Sequence, residues 1–386
     1  MPQITPSSAE DLAQTLLDAA LKRRTVAVIG NNSKRLMGGP QPPADVVIST
    51  AALRRVLDYE PNDLTVSVEA GMPFADLQTL LSRRRQMIAL DPPFSAQATV
   101  GGVIASNSSG PMRRAFGTAR DLVIGMSFAT LDGKTIQTGG MVVKNVAGLD
   151  MGKLMIGSFG TLAVITSVNF RLHSLPKETR TFLFSFAELD PAIEKRNQIV
   201  RSLLQPMAVE LITPAAAARI GNRGYLLVIR AGGSHAIIER YARDLGAPDQ
   251  LSGDWEAMFW QQVREFSPDF LRRHPSGAVL RISSTLQDVG PLLRLVSGAC
   301  ISRAASGVTY VYLTSWQGVP SLWKAASERG WSAVVEFAPD EIRNSKELWL
   351  SSSSPGSVDT LSLMKKVKQM FDPENLLNRS RLYGRI

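Results

Sequence analysis

Apolar residues recur every three or four positions over residues 10–21, so an amphipathic helix is predicted there, with Ser8 placed as its N-cap. Helical spacing returns over residues 74–85. Short apolar or alternating runs predict the strands of this part of the chain, at 25–29, 45–49, 64–69, 121–131, 135–138 and 161–170. Because these strands cluster in pairs rather than alternating singly with helices, an α+β fold is favoured over a doubly wound sheet.

A new rhythm begins after Leu175-Pro176, where the glycines become sparse. Two passes of a β-α-β-β-α-like pattern predict one antiparallel sheet with its helices on one face. The predicted strands are 181–186, 207–212, 225–230, 278–283, 309–313 and 333–337, and the predicted helices are 190–204, 236–245, 255–266, 289–296 and 322–329. A length of 386 residues also favours more than one domain. We therefore predict domains at 1–175 and 176–350, and a C-terminal segment at 351–386 that starts with a serine-rich linker.

Glycine is concentrated in one part of the chain, since twelve of the 30 glycines lie between Gly101 and Gly160. Such density indicates positive φ angles or a close approach of the backbone to something else. Small residues with bare N–H groups suit a large anionic ligand. A β domain with many tight turns would explain the glycines equally well.

Composition and charge exclude several classes of protein. The net charge is +9, but the basic residues are scattered and do not alternate with aromatic residues, so nucleic-acid binding is not expected. A single cysteine, Cys300, rules out an internal disulfide and an iron–sulfur cluster, and three isolated histidines argue against a metal site. No apolar run reaches the roughly 18 residues of a membrane span. The polar N-terminus lacks a signal pattern, so we expect a cytoplasmic location, with any membrane attachment made through partners.

Five motifs follow one another along the chain: Asp91-Pro92-Pro93, Ala98-Thr99-Val100-Gly101-Gly102, the run at 143–148, the run at 157–162 and Phe371-Asp-Pro-Glu-Asn-Leu-Leu-Asn378. In this order and spacing they resemble the motifs of the FAD-binding oxidoreductases of the vanillyl-alcohol oxidase type, which carry a PCMH-type FAD-binding domain. Within this family the chain is most similar to the FAD-binding subunits of bacterial glycolate oxidase (glycolate dehydrogenase) complexes. The resemblance covers residues 24–172 and resumes at 371–378.

The resemblance implies a PCMH-type FAD-binding domain of two α+β subdomains with FAD between them, an antiparallel-sheet cap domain, and a C-terminal helix that returns to the FAD domain. Backbone N–H groups of Gly30, Asn31, Asn32, Ser33 and Lys34 would hold the pyrophosphate. The ribityl chain and flavin would contact Pro93, Thr99, Gly101, Gly102, Ser106, Asn107, Ser109 and Gly110. The adenosine end would lie at Gly160, Thr161, Val164 and Ile165, with Lys144 nearby in the cleft.

Departures from the family pattern refine this expectation. Some relatives attach FAD through a histidine in the first loop; here that loop has none, so FAD should bind non-covalently. Asn32 stands where relatives often have glycine, and asparagine tolerates the left-handed conformation better than most residues. Leu149 stands where relatives often have tyrosine.

The chemistry implied by the resemblance, oxidation of a small 2-hydroxy acid, needs a base and a cation for the carboxylate. Relatives supply histidines from the cap domain, but His173, His235 and His274 are poorly placed for this, so the base stays unassigned. Arg281 and Arg379 are candidate substrate contacts, although a solvated or salt-bridged strand arginine would explain Arg281 as well.

A chain without cluster cysteines should pass electrons to other subunits. The resemblance implies a second FAD-binding catalytic subunit and an iron–sulfur subunit as partners. A stand-alone flavin oxidoreductase acting on another alcohol or hydroxy acid, and a non-catalytic FAD scaffold subunit, remain the alternatives.

Overall fold

The computed structural model describes residues 3–141, 150–350 and 360–386. It contains helices and separate, mostly antiparallel sheets, so the predicted α+β class is confirmed. Three features of the sequence prediction lie outside the described residues: the motif at 143–148 with Lys144, Leu149, and the linker at 351–356.

The chain begins with a small parallel sheet. In the described residues this sheet has the order β1-β3-β2, and helix α1 covers it, capped by Ser8, whose Oγ accepts a hydrogen bond from the Asp11 N–H at 3.1 Å. The predicted helix and its cap are therefore confirmed. The bounds are β1 (Gln3–Ile4), α1 (Ala9–Leu21), β2 (Val26–Ile29) and β3 (Val46–Ser49).

A second, antiparallel sheet follows, with order β4-β5-β9-β7-β8 among the described strands. Its members are β4 (Val56–Glu60), β5 (Thr65–Glu69), β7 (Val123–Ala129), β8 (Thr135–Gly139) and β9 (Val164–Arg171). The helices of this region are α2 (Phe74–Ser82), α3 (Val100–Ala105), α4 (Arg113–Phe116), α5 (Ala119–Leu122) and α6 (Gly152–Met155), and a small pair of strands is β6 (Gln86–Met87) with β10 (His173–Ser174). Residues 121 and 122, expected to begin a strand, belong instead to helix α5, because Thr118 and Asp121 make a capping box at its start.

The glycine-rich run at residues 98–110 opens as helix α3. Thr99 caps this helix by accepting a hydrogen bond from the Gly102 N–H at 3.2 Å. Gly101 faces the second sheet, where a Cβ would lie 2.8 Å from that of Ala70. Close helix–sheet packing therefore explains this glycine.

The described residues of the second half form a nine-stranded antiparallel sheet of order β14-β11-β13-β12-β16-β17-β15-β18-β19. Its strands are β11 (Glu178–Phe186), β12 (Ala208–Ile212), β13 (Tyr225–Gly233), β14 (Asp249–Leu251), β15 (Ala278–Ser283), β16 (Ala299–Arg303), β17 (Val308–Leu313), β18 (Ser332–Phe337) and β19 (Trp349–Leu350). Two related units are present, because β11-β13-β12 and β15-β17-β16 have the same first-third-second strand order and meet where β12 pairs with β16. Strand β16 of the second unit was not among the predicted strands.

The prediction that all helices lie on one face of this sheet is wrong. Helices α7 (Leu189–Arg201), α9 (His235–Leu245), α12 (Val289–Leu295) and α13 (Val319–Glu328) cover one face, and α8 (Pro214–Ala217), α10 (Gly253–Arg264) and α11 (Phe266–Arg273) lie on the other. Central strands such as β12 are buried along their whole length. Both faces therefore need a cover.

The C-terminal segment returns to the first half of the chain through α15 (Thr360–Phe371), which follows α14 (Asp340–Ser345). Lys368 of α15 is buried and donates to the carbonyls of Thr161 and Leu377 at 2.8 and 2.9 Å, and it pairs with Asp372. Asn378 then donates its N–H to the carbonyl of Val26 at 2.8 Å, so the segment extends the edge of the first sheet.

The domain boundaries at 175 and 350 stay a prediction. Among the described helices, none combines the length and apolarity that crossing a bilayer requires.

We predict that Lys368→Met lowers the free energy of unfolding by about 3–5 kcal/mol, because it leaves the fully buried Asp372 carboxylate without its cation. Urea denaturation followed by circular dichroism would measure this. The matched control is Lys366→Met, an exposed lysine on the same helix, which should change stability by no more than about 0.5 kcal/mol. Equal stabilities of the two variants would contradict the assignment.

Candidate active site

Two clefts lie side by side in the described structure and share Ser106. The first, which we call the loop cleft, lies between the turn after β2, the start of α3 and the C-terminal segment. The second, which we call the arginine cavity, has a volume of about 140 Å³ and lies between the glycine-rich run and the sheet of the second half. The loop cleft is lined by Val28, Ile29, Gly30, Asn31, Asn32, Ser33, Lys34, Gln41, Thr99, Gly102, Ala105, Ser106, Phe159, Asn378 and Arg381.

The wall of the loop cleft is a turn with free backbone donors. Within the described ranges, the backbone N–H groups of residues 31–34 donate to no other residue. Asn32 has φ 53°, which confirms that asparagine takes the left-handed conformation expected at this position. Gly30 lies so close to Thr99 that a Cβ would fall 2.4 Å from the threonine Oγ1. The turn is therefore held against the start of α3 with its N–H groups available to an anion.

Two basic side chains add positive charge to the loop cleft. The buried Nζ of Lys34 has no hydrogen-bond partner among the described residues, and burial lowers its pKa to about 8. Arg381 donates to the carbonyl of Gly39 at 2.6 Å, and burial lowers its pKa to about 10. Free N–H groups and an unpaired ammonium in one cleft fit a phosphate or diphosphate group.

The arginine cavity is built by residues that alternate along neighbouring strands. Arg303 of β16 is the register partner of Glu210 on β12, and Tyr310 of β17 is the partner of Arg281 on β15. Side chains of residues two apart on a strand point to the same face. The opposite wall of the cavity comes from the glycine-rich run and the loop before it, through Asp91, Pro93, Ser106, Asn107, Ser108, Ser109, Gly110, Pro111 and Arg113.

Arg281 is partly satisfied within the protein. Its Nε lies 3.6 Å from Oε1 of Glu336. Burial opposes its charge, but Tyr383, Glu336 and Tyr310 together hold the pKa of Arg281 above its ordinary value. Burial also raises the pKa of the Glu336 carboxyl, against the attraction of Arg281. The salt-bridged alternative considered for Arg281 is thus present, in a residue that also lines the cavity.

Arg303 is the second cation that lines the cavity. Its Nη2 donates to the Ser109 carbonyl at 3.2 Å, and its guanidinium lies 4.9 Å from the centre of the Tyr310 ring. Burial opposes its charge, yet Tyr310, Glu210 and Asp91 hold the pKa of Arg303 above its ordinary value. The carboxyls are shifted the other way, because burial raises the pKa of Asp91 to about 7 and that of Glu210 to about 8.

Arg113 adds a third cation, and its side chain makes no hydrogen bond or ion pair within 4 Å with the described residues. Burial lowers its pKa and Arg303 and Arg281 act in the same direction, whereas Tyr310 and Asp121 act against the shift. Because Asp91 and Glu210 are partly protonated near neutral pH, the cavity carries an excess of positive charge. It is therefore suited to a small anion.

The structure brings most of the predicted site residues together. Those that line one of the two clefts are Gly30, Asn31, Asn32, Ser33, Lys34, Pro93, Thr99, Gly102, Ser106, Asn107, Ser109, Gly110 and Arg281. Lys144 lies outside the described residues. The role of each of these residues stays a prediction.

Other predicted site residues do not line either cleft. Gly101 packs on Ala70, and Gly160 lies where a Cβ would be 2.7 Å from Nδ2 of Asn378. Thr161, Val164 and Ile165 are buried, the last two inside β9. Arg379 is also absent from both clefts, because its guanidinium donates to the carbonyl of Pro43 instead.

The three histidines lie away from both clefts. His235 begins α9 and pairs with Glu178 at 3.0 Å, and His274 contacts the Arg219 guanidinium at 2.8 Å. His173 packs edge-on against Phe116. These contacts account for the histidines without a part in the chemistry of the clefts.

Sequence reasoning missed Glu210, Arg303, Tyr310, Glu336 and Arg113. A signal existed for the first two, since each is the lone charged residue of a short strand that is otherwise apolar or small. Only the register of β12 against β16 shows that Glu210 and Arg303 lie side by side on adjacent strands.

Two family models of FAD-related domains match parts of this chain. The family model described as "FAD binding domain" matches residues 3–139, and the one described as "FAD linked oxidases, C-terminal domain" matches residues 354–382. Glycolate oxidase subunit GlcE of Escherichia coli K12 is 28% identical over 97% of this chain and 99% of its own length. Glycolate oxidase subunit GlcD of Bacillus subtilis 168 is 23% identical over 99% of this chain and 88% of its own length.

Solved structures share the fold at lower identity. The 4-ethylphenol oxidase of Gulosibacter chungangensis superimposes with a TM-score of 0.73 at 14% identity, over 98% of this chain and 88% of that one. Alkyldihydroxyacetonephosphate synthase gives a TM-score of 0.72 at 16% identity, over 97% and 75%. The chain thus has an FAD binding domain at residues 3–139 and matches the C-terminal domain of FAD-linked oxidases at residues 354–382, and it shares the fold of these solved structures.

Proposed function

We propose that this chain is the FAD-binding subunit of a 2-hydroxy-acid oxidase or dehydrogenase complex, with glycolate or a similar small acid as substrate. The observation that carries the proposal is the continuity of the two clefts at Ser106. A phosphate-binding turn opens there into a cavity with an excess of cations. A dinucleotide flavin and a small carboxylate need such neighbouring sites.

The residues of the loop cleft fit FAD. The free N–H groups of residues 31–34, with Lys34 and Arg381, would hold the pyrophosphate, and Thr99, Gly102 and Ser106 would border the ribityl chain. Gly102 leaves the necessary space, since a Cβ there would meet only the Thr99 hydroxyl, at 3.1 Å. FAD bound in this way would supply a two-electron acceptor.

The arginine cavity fits a small hydroxy acid. Arg113, Arg281 and Arg303 face it, and Glu336 is the carboxylate closest to Arg281. Relatives support the substrate class: besides the two glycolate oxidase subunits, a D-lactate dehydrogenase of Archaeoglobus fulgidus is 29% identical over 61% of this chain.

Partner subunits would receive the electrons. The relatives of E. coli and B. subtilis are each named as a subunit of glycolate oxidase. The one cysteine of this chain is fully buried, so an iron–sulfur cluster must belong to another protein. We propose a second FAD-binding catalytic subunit and an iron–sulfur subunit as those partners.

Gly102→Leu should reduce FAD retention at least tenfold, because the new side chain would project into the loop cleft. The flavin-to-protein absorbance ratio after gel filtration measures the loss. Gly102→Ala, which adds only a methyl group, should keep most of the flavin. Wild-type flavin content in the leucine variant would contradict the placement of the cofactor.

Acid precipitation should release all of the flavin into the supernatant. Neither a histidine nor a cysteine lines the two clefts in the described part of the chain, so the usual residues for covalent attachment are missing. Yellow colour that stays with the washed pellet would refute non-covalent binding.

The isolated holoprotein should show little sustained oxidation of glycolate, and co-expression with a second flavoprotein and an iron–sulfur subunit should raise turnover at least tenfold. The physical reason is that this chain has no redox centre beyond its flavin to carry electrons onward. Steady-state dye reduction measures the rate. Full turnover by the isolated chain, near the median enzyme value of about 10 per second, would instead favour a stand-alone enzyme.

A further inference from the structure

Glu210 is a buried carboxyl with an unusual environment. Its residue is 1% exposed, and neither carboxyl oxygen has a hydrogen-bond partner among the described residues, yet its side chain lines the arginine cavity. Glu256 is equally buried, at 2% exposed, but accepts hydrogen bonds from Thr179, Thr181 and Arg230. Leaving a buried acceptor unpaired is costly, so Glu210 needs an explanation that Glu256 does not.

Arg303, in turn, has buried hydrogen-bond donors that lack an acceptor among the described residues. It is the register partner of Glu210 across β12 and β16, but in the described structure no ion pair within 4 Å joins their side chains. Nη2 donates to Ser109, while Nε and Nη1 are buried without an acceptor. Unused donors and unused acceptors thus line the same cavity on adjacent strands.

A ligand that satisfies both must present an anionic acceptor next to a donor. A carboxylate with a hydroxyl on the neighbouring carbon has this arrangement. We propose that Arg303, assisted by Arg113, binds the carboxylate of a 2-hydroxy acid, and that Glu210 accepts the proton of its hydroxyl group. This inference rests on the proposed function and assigns the base that the histidines do not provide.

The step is balanced with oxidised flavin as the electron acceptor. The O–H proton passes to the Glu210 carboxylate, and the hydrogen on the neighbouring carbon leaves with its electron pair to the flavin. The products are a 2-oxo acid, a flavin reduced by two electrons and a protonated Glu210. A general base of this kind contributes about 10²–10⁴ in rate.

Charged groups on several elements face Glu210. Arg303 lies on β16, Asp91 in the loop after β6, and Arg113 on α4, whereas β13 presents Val228 as the register partner. Burial raises the pKa of Glu210 to about 8; Arg303 opposes this shift and Asp91 adds to it. The carboxylate form, which is the base, therefore increases as pH rises through about 8.

Oxalate is a suitable probe because it cannot be oxidised by loss of a hydride. One carboxylate would bind Arg303, and the other would face Glu210, which must then be protonated. Calorimetric titration of the holoprotein should show an oxalate Kd that rises about tenfold per pH unit above pH 8. In Glu210→Gln this rise should vanish, leaving only the dependence near pH 7 where Asp91 titrates. In Arg303→Met the Kd should increase at least about thirtyfold throughout.

Glu256→Gln is the matched control. It should lower the thermal unfolding midpoint, because it breaks a satisfied buried network, while it leaves oxalate binding and its pH dependence at wild-type values. Glu210→Gln should not lower the midpoint, since its carboxyl has no partner to lose. A pH-dependent oxalate affinity that survives in Glu210→Gln would overturn the proposal.

Anaerobic stopped-flow reduction of the flavin separates this inference from the proposed function. At about pH 8, Glu210→Gln should reduce the flavin with glycolate or D-lactate at least a hundredfold more slowly than wild type. If wild type and variant bleach at the same rate, the assignment of the base fails and the proposed function stands. If no 2-hydroxy acid bleaches the wild-type flavin, the proposed function fails, and the base assignment fails with it.

Discussion

The guanidinium of Arg303 donates to the carbonyl of Ser109 across the arginine cavity, which lies between the nine-stranded sheet and the glycine-rich run at residues 98–110. A cation at this depth is tolerated only where anions and oriented dipoles offset its lost hydration. Tyr310, Glu210 and Asp91 supply that compensation from three different elements. The two halves of the chain are therefore joined at a point where polar groups must stay buried. That requirement keeps a polar, cationic cavity between two otherwise apolar cores.

Close backbone packing holds the rest of the site around this cavity. Gly30 permits the turn after β2 to approach Thr99, and Thr99 in turn caps α3 and borders Gly102. From the other side, Asn378 receives the Val28 N–H at 2.7 Å and donates to the Phe159 carbonyl at 3.0 Å. A C-terminal residue thus links β2, which precedes the turn at residues 30–34, to the run at 157–162. Because these contacts are mostly to backbone, they fix the position of the turn independently of the side chains it carries.

In this arrangement the two halves of the chain supply different kinds of binding group. The first half offers backbone donors, which bind a diphosphate without adding bulk. The second half offers side chains on the rigid strands of a sheet, whose spacing is set by pairing. Burial raises the pKa of Glu210 on β12 to about 8 and that of Asp91, in the loop after β6, to about 7, while the arginines remain cationic. A cavity of this kind favours small anions over neutral alcohols.

The sequence by itself determined the elements, the α+β class, the family and most of the loop cleft. Those features depend on local causes: apolar spacing, the Ser8 cap, the left-handed conformation of Asn32, and motifs whose residues are near one another in the chain. The sequence prediction was wrong where a distant surface decided, as with the second layer of helices that covers the nine-stranded sheet. It was also wrong at residues 121 and 122, where the local capping box of Thr118 and Asp121 forms α5 in place of a strand. Only the tertiary structure brings together the residues that line the arginine cavity. Arg379, a predicted substrate contact, donates instead to the Pro43 carbonyl. Glu210 and Arg303 are 93 positions apart in the sequence, and only the register of β12 and β16 makes them neighbours. Strand pairing between remote segments depends on how the whole sheet packs, and that information is not contained in either strand alone.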